Sequence, residues 1–103
     1  MEHWYVIFPK TVDEAVDKLL PILTRKEQTR IVNMSQRDLF QLNTTLGIFI
    51  RTEFRLWGND LLIKACHKYA AENNLDLDDP VMIIIRALHR RLRRTENLLR
   101  VVK

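Results

Sequence analysis

The chain has 103 residues, of which 47% are apolar and 29% charged, with a net charge of +4, two glycines, three prolines and one cysteine. That length bounds one domain able to bury about two-thirds of the surface its unfolded form exposes, so neither a metal nor a disulfide is needed for folding. One thiol excludes a disulfide within the chain, and no stretch approaches the roughly 18 consecutive apolar residues of a membrane-spanning helix.

The first ten residues, Met-Glu-His-Trp-Tyr-Val-Ile-Phe-Pro-Lys, lack the basic start and apolar length of a secretory leader, which predicts a cytoplasmic protein. Pro9 disfavours α geometry at Phe8, so residues 1–10 read as an extended arm laying Trp4, Ile7 or Phe8 against the body. Thr11-Val12-Asp13-Glu14 then forms a capping box, in which the Thr11 oxygen accepts a first-turn N–H and Glu14 reaches back to the Thr11 amide. Val12, Ala15, Val16, Leu19 and Leu20 share one face of the helix that follows, and Pro21 ends or kinks it. Thr24 to Glu27 repeats the box before a short helix through Ile31 and Val32, and Ser35 to Asp38 is a third version.

From Ser35 the stripe Leu39, Leu42, Leu46, Phe49, Ile50 and Trp57 predicts one long central helix. Gly47 marks close approach of another helix, Gly58 is placed to stop this one in a left-handed conformation, and Trp57 to bury its ring under the next. Asn59 caps a fourth helix carrying Leu61, Leu62, Ala65, Cys66, Tyr69 and Ala70. A polar turn follows, and Asp79-Pro80 opens a fifth through Val81, Ile84, Ile85, Leu88 and Leu92, able to continue to Leu99 and Val102. The fold class is therefore all-α, a compact bundle of about five helices with an extended N-terminal arm, forming one domain over residues 1–103 with a basic tail from 93 that can fray.

Catalytic chemistry has few supports. His3, His67 and His89 are far apart, and Cys66 and His67 are neighbours whose side chains diverge by about 100° on a helix, so neither a metal chelate nor a nucleophile–base pair is implied. Asp76, Asp78 and Asp79 lack the further oxygen ligands and glycine of a calcium loop. The expectation is a chain that is not an enzyme and carries no cofactor and no metal.

The charge is uneven. Residues 86–103 hold seven basic side chains against Glu96, so this segment carries +6 and the remainder −2. Arg86, Arg90, Arg93 and Arg94 line one side of the last helix, opposite Ile84, Leu88 and Leu92. Such a stripe either binds phosphates, giving salt-dependent nucleic-acid affinity, or is a solvated face pairing with acids of neighbouring helices. With no aromatic residues among the arginines, the solvated face or an acidic protein partner is favoured. Arg51 and Arg55, four apart, border the central apolar stripe and with the Asn59 turn could hold an anion, but Asp60 already supplies negative charge there. Arg51 has no acid partner nearby in sequence. The candidate binding surface is thus Arg51, Arg55, Arg86, Arg90, Arg93 and Arg94.

The run Gly47-Ile48-Phe49-Ile50-Arg51, then Leu56-Trp57, Asn59, Leu61-Leu62, Cys66, Asp78-Asp79 and the Ile83-Ile84-Ile85-Arg86-Ala87-Leu88 helix, resembles a family of small bacterial proteins classed as a domain of unknown function. The resemblance extends from about Thr11 to Leu92. It implies an all-helical domain and a bacterial source, and brings no activity, cofactor or partner. Position 43 is Asn where that family commonly has His, and position 81 is Val where it has Ser, so neither position is expected to be catalytic here. The expected function is a non-catalytic protein-binding or regulatory module, the alternative being nucleic-acid binding through the basic C-terminal helix.

Overall fold

A computed structural model describes residues 8–102, with side chains through Glu96. Its six α-helices are α1 (Val12–Leu19), α2 (Arg25–Val32), α3 (Gln36–Gln41), α4 (Leu46–Glu53), α5 (Asp60–Glu72) and α6 (Pro80–Val102). Short 3₁₀ turns at Leu20–Ile22, Leu42–Thr44 and Leu56–Gly58 join them, and no strand occurs among the described residues.

The axis of the fold is α6. Val81, Met82, Ile83, Ile84 and Ile85 are buried in succession, which a helix achieves only when neighbours cover its whole circumference. All five other helices pack against it. This corrects two expectations: the central helix is α6 rather than residues 35–57, and α6 becomes amphipathic only from Arg86 onward. Its start is set by Asp79, whose Oδ1 accepts the Val81 N–H at 2.9 Å, and by Pro80, whose missing N–H costs nothing in the first turn.

The segment from 35 to 57 breaks because its own side chains compete with the helical ladder. The Thr44 and Thr45 hydroxyls donate back to the Gln41 and Leu42 carbonyls at 2.9 and 3.3 Å, and Thr45 leaves helical geometry at φ −122°, ψ −81°. The bend lets α3 and α4 each pack on α6, and it raises the helix number from five to six. At the far end Arg55, not Gly58, takes the left-handed conformation, with φ 46°. Turning there sends Phe54 and Leu56 into the core and leaves Trp57 67% exposed, so the Trp57 ring is not buried under α5.

The caps form largely as the sequence indicates. Thr24 with Glu27 and Ser35 with Asp38 close both bonds of the box. Thr11 accepts the Glu14 N–H at 3.1 Å, but the Glu14 carboxylate binds the Lys10 N–H, one residue beyond its expected target. Asn59 accepts from the Leu62 N–H while its own amide donates to the Pro9 carbonyl at 2.8 Å, fixing the base of the arm. Phe8 is half-buried there, whereas Trp4 and Ile7 lie outside the described residues. At the end of α5, Asn74 at φ 55° lets the Leu75 and Asn74 amides donate to the Ala70 and Ala71 carbonyls, closing the helix with a Schellman motif.

Gly47 is where α4 meets α6. A Cβ there would lie 2.9 Å from Asn43 Oδ1, 3.1 Å from Val81 Cγ1 and 3.3 Å from the Arg51 guanidinium, whereas one on Gly58 would meet nothing within 4 Å. Chemical denaturation should find Gly47→Ala destabilised by about 1–2 kcal/mol, overpacking outweighing the better helix propensity. Gly58→Ala, at a position whose φ is not positive, should be neutral or more stable by up to about 1 kcal/mol.

Candidate functional site

Of the six arginines singled out by sequence, Arg51 is half-buried and turned toward the fold. Its guanidinium donates to the Asn43 carbonyl at 3.3 Å and, through its other terminal nitrogen, to Asn43 Oδ1. The Asn43 amide then donates to Asp79 Oδ2 at 3.5 Å, and the second oxygen of Asp79 caps α6. This chain ties α4, the turn before it and the start of α6 together, and puts a carboxylate behind Arg51 that is distant in sequence. Arg55 reaches elsewhere: its guanidinium lies 5.6 Å from the centre of the Phe8 ring, a cation–π contact at the arm. The two side chains therefore have separate partners.

The basic face of α6 is partly engaged. Arg90 donates to Asn73 Oδ1 at 3.0 Å, and Arg86 is half-buried with an Nε that has no partner. Arg91, absent from the sequence-based candidates, bonds Asp17 at 2.9 Å and Asp13 at 3.3 Å, which raises its pKa and links α6 to α1. Those carboxylates are largely exposed, so the pairs contribute at most about 1 kcal/mol each. Arg93 and Arg94 are exposed and have no hydrogen-bond or ion-pair partner among the described residues.

Neither His67 nor His89 bonds the Cys66 thiol, and His3 lies outside the described residues. Cys66 is fully buried, and burial, with a smaller contribution from the charge of Asp79, pushes its pKa up to about 12. The neighbouring His67 is exposed, its Nε2 3.2 Å from the Asp78 carbonyl. Among the described residues no three His, Cys, Asp or Glu side chains gather where they could hold a metal. His89 is only 4% exposed and its Nε2 has no partner. Burial and the charges of Arg93 and Arg86 lower its pKa, opposed in part by the Val32 backbone on α2.

One apolar concavity uses none of the six arginines. A groove of 420 Å³ runs between α2, α4 and the turns beside them, with Leu23, Ile31, Met34, Leu46 and Phe49 in its wall and Ile22, 48% exposed, at its edge. Phe49 is steadied edge-on against Phe54, with ring centres 6.1 Å apart. A second, more polar depression of 600 Å³ adjoins it through Arg30, Met34, Leu42 and Thr45. Volumes of this size suit a small molecule or a few side chains of a partner. Sequence reading missed the groove because it depends on the bend at Thr45; the available signals were Ile22 and Met34, apolar residues lying outside the helical stripes.

The Cys66 thiol should be inert in the native chain. With a thiol reagent at about pH 8, its rate should be lower than in unfolded chain by on the order of 10³, from the lost thiolate alone. A native rate within about tenfold of the unfolded one would contradict its placement in the core.

No curated protein and no solved structure matches the chain. A family described as a domain of unknown function, DUF6794, matches residues 8–92, a span that runs from the anchored base of the arm through α5 to the buried Leu92 of α6. With all of α1–α5 and the core half of α6 inside that match, the chain belongs to this family.

Proposed function

We propose that the chain is a non-catalytic protein-binding module whose docking surface is the groove between α2 and α4. The observation that carries this reading is an apolar lining left open to solvent, with Ile22 exposed at its edge, in a fold whose other large apolar side chains mostly pack around α6. Of the charged groups in the two concavities, Glu27 and Asp38 are engaged, accepting the backbone N–H groups of Thr24 and Ser35. Arg30 borders both and is committed to no cap. The partner that fits is a protein segment with two or three apolar side chains for the Met34–Phe49 wall and an acidic residue for Arg30. The bacterial, cytoplasmic setting expected from the resemblance and the single thiol is kept as part of this reading.

Nucleic-acid binding is the second reading, favoured by the exposed Arg93 and Arg94. It is weakened by the engagement of Arg90 with Asn73 and the partial burial of Arg86, which withdraw two of the four candidate arginines of α6 from phosphates.

Capture from the native host separates the two. A partner held through the groove should survive nuclease and moderate salt, be lost with Ile22→Glu or Arg30→Glu, and be retained with Arg93→Glu/Arg94→Glu. Recovery of nucleic acid instead, with affinity falling steeply as salt rises and lost in the Arg93/Arg94 variant, would replace the first reading by the second. Turnover of a substrate that is abolished by Arg51→Ala in a folded variant would contradict a non-catalytic role.

A further inference from the structure

Among the described residues, Ile22, Phe40, Ile48, Trp57 and Leu61 are the large apolar side chains left most exposed. Ile22 already borders the groove. Trp57 and Leu61, the latter 58% exposed, stand at the corner between α4 and α5, where the left-handed turn at Arg55 sends Leu56 inward and Trp57 out. Between them in sequence is Asp60, an exposed carboxylate with no hydrogen-bond or ion-pair partner among the described residues. Five residues of surface thus carry two apolar side chains and an uncommitted acid, the set that suits the groove. Neither of the other exposed side chains comes with the same set. Ile48 has no acid within four positions, and Asp38, near Phe40 in sequence, is held in the Ser35 capping box.

The groove matches that corner in shape and in charge. Its wall includes Phe49 and Met34, and an indole gains from edge or offset stacking on the first and from the polarizable, adaptable thioether of the second. Its 420 Å³ takes an indole with a leucine side chain beside it. The Arg30 guanidinium borders the groove without a hydrogen-bond or ion-pair partner among the described residues, and Glu27 lies one turn before it on α2, held through one oxygen by the Thr24 amide. On α5, Asp60 is followed one turn later by Lys64, also exposed. Each surface sets an acid beside a base, so Asp60 against Arg30 and Lys64 toward Glu27 places opposite charges together at both ends.

We infer that the occupant of the groove is a second copy of this chain: Trp57 and Leu61 of one copy enter the groove of another, with Asp60 set against Arg30. The inference rests on the groove being a docking surface and adds what docks there. Trp57 is exposed within its own chain, so the contact lies between molecules. Groove and Trp57 corner are different surfaces, so copies either exchange the contact in a two-fold pair or pass it around a closed ring. A tryptophan offers only about 150–250 Å² to bury, which places the contact among the weak interfaces below about 1,200 Å² in total.

Sedimentation equilibrium on the full chain from about 20 μM to about 1 mM tests it, and the average mass should rise above that of the monomer across this range. Trp57→Ala and Ile22→Glu, both at exposed positions, should each weaken association tenfold or more. An equimolar mixture of these two variants should recover a 1:1 heterodimer, because one keeps the groove and the other keeps Trp57. Asp60→Arg should also weaken association, and mixing it with Arg30→Asp should give a complex tighter than either variant forms alone. A wild-type mass that stays monomeric, association unchanged in Trp57→Ala or Ile22→Glu, or mixtures that recover no complex would each overturn the inference. A monomeric chain that still captures a host protein through the groove overturns self-association and leaves the groove as a docking surface; a monomeric chain with no groove-dependent partner overturns both.

Discussion

The burial of α6 at its beginning governs the rest of the structure. A helix that places Val81 through Ile85 out of water needs cover on every side, and the remaining residues supply it as five short helices. Its first turn is also where polar demand is highest, because its first N–H groups have no partner within the helix. Asp79 satisfies one of them, Asn43 binds Asp79, and Arg51 binds Asn43. Gly47 leaves room for this chain against Val81.

Local chemistry was legible in the sequence and the path of the chain was not. The caps at Thr24, Ser35, Asn59 and Asp79 were readable because each depends on residues within three or four positions. The break inside residues 35–57 was not, because its apolar stripe suits one straight helix as well as two bent around a central one; the Thr44-Thr45 pair was the available sign. Arg55 in the left-handed region was beyond prediction from residue type, since Gly58 stood three positions away as the better candidate on steric grounds. That displacement exchanged Trp57 for Leu56 in the core.

The candidate site divides along the same line. An arginine without a nearby acid invites a functional reading, yet Arg51 finds its carboxylate through an asparagine, at Asp79. Arg55 and Arg90 likewise have partners, in Phe8 and Asn73. The groove comes instead from residues that folding leaves unpaired: Ile22 after a proline-bearing 3₁₀ turn, Met34 between two helices, and the face of α4 that the bend turns away from α6. One wall of it is α2, which contributes Ile31 to the core.

Arg51 is a structural tie acting on the start of α6. A double-mutant cycle with Arg51→Ala and Asp79→Ala, read by chemical denaturation, tests it most directly. A tie carried through Asn43 gives a coupling energy of about 1 kcal/mol or more, the double variant losing less stability than the two single changes together. Additivity within about 0.5 kcal/mol would contradict the tie and leave the Arg51 guanidinium without a structural role.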